Sequence, residues 1–436
     1  MLKLKPLKLK IYDSKRATVF FVFVVLSLLV LWVGSVFVGQ LVGKVVLFNL
    51  SQNLIISYSL GVLWAMILWV SILFWPIQSR DREALFVIWM IKIIVVLVLM
   101  RAYEQGYGFD ADGYFENAIT DNFHWDGFKF GNGTRIIAQL VWLHNKIMFS
   151  SYYAANIGFA LIGLIGVYLF YRAATLFLQK QDIRILYVLA FFPSILFWSS
   201  ILGKDPITFF GISLYAYGIV AWHRLRQQRY LIALFVGIFI VALIRMWLVP
   251  IVLLPLLFLV IIVRRSLAQR IVFIAVCISL FAIVLSKIKI MWGVSTVDDL
   301  FKFRSYATTA FVGGGSSFKS PEITGFIDLI KYLPFGIFTA LFRPLPWDVP
   351  NIFGFIQGLD NVVLLILLII SIKRTQWKEL KDPVLLWAIF LILTWALFYG
   401  MVTYNLGTLA RYKLQILPVI LGLLLYFSRR RVKMVL

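Results

Sequence analysis

The 436-residue chain is 62% apolar and 14% charged, with 17% aromatic residues and a formal net charge of +23. A soluble domain is nearer half apolar and a quarter charged, and a disordered chain could not leave this much apolar surface in water, so both classes are excluded. A single cysteine, Cys277, excludes an internal disulfide framework, and three histidines, His124, His144 and His223, without a pair at helical spacing leave no recognisable zinc site.

The basic residues stand in short runs between long apolar segments. That pattern argues for a membrane protein and against a nucleic-acid partner. A helix needs about 20 apolar residues to cross a hydrocarbon core of about 30 Å. The sequence therefore predicts an all-α, polytopic membrane protein of twelve spans, near residues 17–38, 57–77, 84–101, 153–172, 185–201, 206–222, 230–247, 248–263, 271–288, 352–372, 384–402 and 413–428. No polar loop separates the two spans joined at Trp247 to Pro250, and a re-entrant hairpin would read alike. The opening apolar run is longer than a secretory core of roughly 7 to 15 residues, so it reads as an uncleaved span.

Lys and Arg accumulate in cytoplasmic loops. Six basic residues between Lys3 and Arg16 place the N-terminus inside, and every later alternate loop agrees: Arg80/Arg82, 172–184, Arg224/Arg226/Arg229, Arg264/Arg265/Arg270, Lys373 to Lys381 and Arg429 to Arg431. Lys92 is assigned to the same side, at a span entrance, and both termini are cytoplasmic. Two outer segments, 102–152 and 289–351, are too long for simple connections and rich enough in aromatics to be ordered. Residues 134–149 read as a helix along the outer interface. Val312 to Phe318 reads as a flexible Gly-rich stretch, either a loop that closes over a substrate or a plain linker. The chain divides into 1–83 (basic segment and two extra spans), 84–263 (a module with the acidic loop) and 264–436 (the remaining spans with loop 289–351).

Acidic residues are scarce, and most of the 19 fall on the outer side. After the third span the chain reads Tyr103-Glu-Gln-Gly-Tyr-Gly-Phe-Asp110-Ala-Asp112-Gly-Tyr114-Phe-Glu116. In an extended loop Asp110 and Asp112 would face one side, able to take a proton from an attacking hydroxyl or to hold a divalent cation. The alternative is that Asp112 caps a following helix. Lys204 and Asp205 sit in a tight outer turn after Phe192-Pro193-Ser194, where the lysine could neutralise a lipid phosphate or serve only in an ion pair or cap. Arg245, Arg343 and Arg411, with Lys413 beside the last, lie near outer span ends against the positive-inside trend. They are candidates for gripping phosphate, or for snorkelling to lipid phosphates. Aromatics at 103–114, Trp142, Tyr152/Tyr153 and Trp347 fit sugar stacking or an interfacial belt.

The order of these features resembles the GT-C superfamily of integral-membrane glycosyltransferases, of the kind found in bacterial surface-polysaccharide pathways. The resemblance rests on Phe109-Asp110-Ala-Asp112-Gly-Tyr114, segment 134–149, Phe192-Pro193-Ser194 and Lys204-Asp205-Pro206, across residues 84–223. Here the acidic loop follows the third span rather than the first, and no large soluble outer domain is present. The resemblance implies transfer of a sugar from a polyprenyl-phosphate-linked donor to a glycan, lipid or protein acceptor at the outer face of a bacterial inner membrane, with inversion. Asp112, or Asp110, would be the base. Arg343, Arg411, Lys204 and Arg245 would steady the departing phosphate, and Asp205, Tyr114, Glu116 and Lys413 would complete the substrate site. Some members of the superfamily work without a metal; a divalent cation, where one takes part, would use Asp110 and Asp112. A polymerase or ligase of lipid-linked oligosaccharides shares these features. A flippase or secondary transporter would instead place discontinuous elements near the midplane.

Overall fold

The computed structural model describes residues 52–107, 110–120, 123–263, 267–292, 316–318, 321, 325–349 and 351–429. The predicted span 17–38 and the glycines at 313–315 lie outside them. The described residues form helices joined by turns, without strands; one antiparallel bridge pairs Ser317 with Asn405.

In chain order the helices are α1 (Gln52–Ser71), α2 (Ser79–Ile94), α3 (Met100–Tyr107), α4 (Asp110–Ile119), α5 (Gly133–Ile147), α6 (Tyr152–Leu178), α7 (Ile183–Phe191), α8 (Pro193–Trp198) and α9 (Lys204–Leu225). They continue with α10 (Tyr230–Ile244), α11 (Leu248–Ile262), α12 (Leu267–Trp292), α13 (Phe326–Phe342), α14 (Ile352–Arg374), α15 (Pro383–Val402), α16 (Leu406–Lys413) and α17 (Leu417–Ser428). Side-chain caps start several of them. Ser151 Oγ accepts from Ala154 N at 3.1 Å before α6, and Asn405 Oδ1 accepts from Thr408 N at 3.0 Å before α16.

Among the described residues five helical segments are long and apolar enough to cross a membrane: Leu54–Phe74, Tyr152–Leu178, Arg270–Lys287, Ile352–Arg374 and Pro383–Val402. The pair α16 and α17, bent by 70°, makes a sixth if taken as one span. The other described segments expected to span are helical but interrupted, short or polar. The third passes through a π-turn at Val95–Leu99, and the fifth breaks at Phe192-Pro193, where proline begins α8. Helices α10 and α11 have 15 residues each, about 22 Å by helical rise. Their hairpin turns at Arg245 to Trp247, short of a full bilayer crossing.

Two ends of the bundle differ in charge. At one, Arg224 pairs with Asp382 at 2.5 Å, Arg374 Nη1 donates to Ser428 O at 2.6 Å, and Phe177 meets Tyr426. The C-termini of α6, α9, α14 and α17 and the start of α15 therefore gather at one basic end. The opposite end carries α4, α5 and the start of α9. The core between them is tight. A Cβ on Gly237 of α10 would lie 2.5 Å from Gly211 O and 2.6 Å from Tyr215 N of α9, so only glycine permits this approach.

Two expectations are corrected. Segment 289–351 is not all connecting loop: Phe326–Phe342 is helical and packs against α15, with Gly336 and Gly400 in backbone contact. After Phe342 the chain turns back along α14, with Leu345 and Pro346 against Gly358 and Val349 against Gly354. Lys92 is not at a span entrance. It lies inside the bundle at 1% exposure, its Nζ donating to Ser199 O at 3.2 Å, Ser199 Oγ at 2.8 Å and Ser200 Oγ at 2.7 Å.

Candidate functional site

The site grows from the start of α9. The turn before it is held by Asn156 of α6, whose Oδ1 accepts from Leu202 N at 3.0 Å. Asp205 then falls in the first helical turn, where unpaired N–H groups favour a negative charge. It is 2% exposed, a costly place for a carboxylate unless paired. Two guanidinium groups pair it. Arg245 Nη2 donates to Asp205 Oδ1 at 2.7 Å, and Arg411 Nε donates to Asp205 Oδ2.

Arg245 closes the C-terminus of α10 and is itself 2% exposed. Its guanidinium lies 4.3 Å from the Tyr412 ring centroid, and its Nη1 has no hydrogen-bond partner. Tyr412 packs on Tyr399, whose hydroxyl accepts from Trp247 Nε1 at 3.1 Å. Arg411, on the short helix α16, reaches a second carboxylate, with Nη1 3.3 Å from Asp110 Oδ2. Lys204 Nζ donates to Thr134 Oγ1 at 2.8 Å and stands 5.8 Å over the ring of Tyr114. Burial raises the Tyr114 hydroxyl above the ordinary tyrosine range, and the Asp110 charge adds to that.

Asp110, Tyr114, Lys204, Asp205, Arg245 and Arg411 thus converge from positions 301 residues apart at the extremes. Three cationic side chains face two carboxylates, and one buried N–H is unspent. An anion is the natural occupant. Helices α4 and α5 roof the cluster, Tyr114 and Ala118 packing with Ile136 and Val141 over the ends of α6, α9 and α10. Arg135 and Lys129 pin the preceding loop through Asp126, at 3.3 and 2.8 Å.

Asp110 and Asp112 do not share a face. Both lie in the first turn of α4, where residues two apart point about 200° from each other. Asp110 goes to Arg411, whereas Asp112 is exposed and acts electrostatically on Glu104. A cation held by both carboxylates at once does not fit this helix. Among the described residues no group of three His, Cys, Asp or Glu side chains is placed to hold a metal. Glu116 stands exposed farther along α4.

Glu104 is a residue that the sequence reading passed over. Its carboxylate accepts from the Tyr152 hydroxyl, and burial, with the Asp112 charge adding, pushes its carboxyl up to about 7 against the opposing Tyr152 hydrogen bond and Arg101. The signal was its place in the same acidic run. Thr134 and Tyr412 were also missed; nothing local distinguishes them.

Arg343 and Lys413 form a separate layer. Arg343 binds Asp348 through Nε and Nη2, both at 2.9 Å, so its planar edge is engaged within its own loop. Lys413 is fully buried, donating to Arg343 O at 3.0 Å and Asn361 Oδ1 at 2.9 Å. Beside it Asp360 accepts from Ser194 N at 2.9 Å and from Ser194 Oγ, which also accepts from Gln357 Nε2 at 2.6 Å. Ser194 of the Phe192-Pro193-Ser194 phrase therefore anchors α8 to α14.

No family model matches the chain, and no curated protein or solved structure matches it either.

Proposed function

We propose that the protein is a membrane glycosyltransferase of GT-C type that takes a sugar from a polyprenyl-phosphate donor, with a multi-span arrangement in which α10 and α11 form a short hairpin, and with the cytoplasmic termini and outward-facing site expected from its sequence. The observation that carries this reading is the buried Asp205 bridge between Arg245 and Arg411, with Arg245 Nη1 unspent and Lys204 at the rim, at the end away from the basic loops. That arrangement suits a phosphate carried on a lipid, since it lies where charge would otherwise be avoided.

In this reading the acceptor hydroxyl attacks the anomeric carbon from the face opposite the phosphate. The new carbon–oxygen bond forms as the sugar–phosphate bond breaks, its electron pair leaving with the phosphate, and the hydroxyl proton passes to a carboxylate. Asp110 pairs with Arg411 and orients its guanidinium, and Asp112, on the Glu104 side of α4, serves as the base for a hydroxyl that arrives from that side. Purified protein given a panel of polyprenyl-linked sugars is expected to release the lipid phosphate. Asp112→Asn is expected to lower turnover by at least about a hundredfold, in the range for loss of a general base, while Asp110→Asn acts mainly on donor KM. Full turnover in Asp112→Asn removes the base assignment, and full turnover in both variants removes aspartate catalysis.

A second reading, a lipid-linked sugar flippase or transporter, is favoured by the broken α7–α8 pair, the short α10–α11 hairpin and the bent α16–α17 pair, all discontinuities of the kind that transporters use. In the same assay it predicts movement of intact donor between leaflets without release.

A further inference from the structure

Helices that stop inside a membrane bundle leave carbonyl groups without water or intrahelical partners, and each needs a donor from elsewhere. At the basic end arginines supply this: Arg82 Nη2 donates to Trp75 O at 3.1 Å, and Arg270 Nη2 to Val263 O at 3.2 Å, each carbonyl belonging to the residue that closes a helix. Two further helices end within the interior. Helix α8 closes at Ser199 and α13 closes at Arg343. Their closing carbonyls accept from lysines, Ser199 O from Lys92 at 3.2 Å and Arg343 O from Lys413 at 3.0 Å. These lysines are 1% and 0% exposed, and neither comes from the helix it caps.

We propose that Lys92 and Lys413 are positioning residues that cap the interior ends of α8 and α13 from neighbouring elements and thereby fix, from behind, the two halves of the Asp205–Arg411 ion pair. Lys92 spends its remaining reach on Ser199 Oγ and Ser200 Oγ, at 2.8 and 2.7 Å, and so immobilises the turn that leads directly into Lys204 and Asp205. Lys413 lies two residues beyond Arg411 on α16, and its bonds to Arg343 O and Asn361 Oδ1 tie that short helix to α13 and α14. Asn361 completes the tie by donating from Nδ2 to Pro344 O at 2.7 Å. The bond made by each lysine serves two ends, satisfying the carbonyl that closes a helix and holding a charged residue of the cluster in register. An amine also complements the negative end of a helix dipole, which an apolar side chain cannot do.

The importance of these contacts for transfer rests on the reading of the Asp205 cluster as the working site, but the capping itself is measured without turnover. In hydrogen exchange on the full chain in detergent, Lys92→Met is expected to speed exchange roughly tenfold in peptides covering 199–205, and Lys413→Met in those covering 339–349 and 406–416, with other core peptides near wild type. Lys92→Arg and Lys413→Arg, which keep a cationic donor, are expected to restore much of the protection. Unchanged local exchange in the Met variants, or a uniform rise across the whole chain that Arg does not reverse, overturns the proposal. In a parallel donor assay the Met variants are expected to raise KM more than they lower kcat. Local loosening in a protein that turns over no donor would leave the capping intact and count against the transferase reading alone.

Discussion

Asp205 and Lys413 show how burial sorts charged residues that look alike in sequence. Asp205 is enclosed yet sits between two guanidinium groups, one of them still holding an unused N–H, so the group faces an open demand for an anion. Lys413 donates instead to two protein oxygens, Arg343 O and Asn361 Oδ1. Glu104 stands between these cases. Its carboxyl is pushed from an ordinary glutamate value up to about 7, chiefly by burial. The folded protein therefore holds a proton that the unfolded chain has lost, and the associated stability is fully present below about 4.5 and lost as pH rises through about 7. Melting of wild type and Glu104→Gln in detergent is expected to lie closest at pH 4 and to separate as pH rises to 8, with the glutamine variant gaining in relative stability. Parallel curves across that range would contradict the assignment.

At the scale of elements, contact between α9 and α10 sets where Arg245 meets Asp205. The approach depends on Gly237, whose absent Cβ leaves room for the backbone of Gly211 and Tyr215, atoms that cannot rotate away. Gly237→Ala is expected to cost about 1–3 kcal/mol by overpacking, read as a lowered unfolding midpoint. Gly422→Ala on α17, where a Cβ meets nothing within 4 Å, is expected to be neutral or slightly stabilising. Much of the helical layout was legible, because apolar runs of adequate length announce themselves. Helix α13 was not: its 17 residues include Asp328, Lys331 and Pro334, which make it read as loop. The charged residues of the cluster were legible for the converse reason, since Lys204, Asp205, Arg245 and Arg411 interrupt apolar sequence. Their partners were not, because Arg411 meets Asp205 across 206 residues and no local pattern encodes such a pairing. The same limit hid the caps made by Lys92 and Lys413, and the helical start at Asp110 removed the shared face that an extended loop would have given its two carboxylates.

For the whole molecule, the gathering of basic loops at one end and of the Asp205 cluster at the other gives the bundle a polarity that the proposed orientation uses. In a Cys277→Ser background, Trp347→Cys, at a position 77% exposed, is expected to react with an impermeant maleimide in intact cells. Trp377→Cys, at a position 86% exposed near the basic end, is expected to react only after permeabilisation. The opposite labelling pattern would invert the proposed orientation. Donor affinity tests the central claim, that the Asp205 cluster grips a lipid-borne phosphate, more directly than turnover, because it needs no acceptor. Titration of a polyprenyl-phosphate sugar into nanodiscs holding wild type, Arg245→Gln or Arg411→Gln is expected to show affinity at least about tenfold weaker in each variant, the scale of a lost charge-assisted hydrogen bond. Equal affinity in all three proteins, with each folded by its melting curve, would contradict the account.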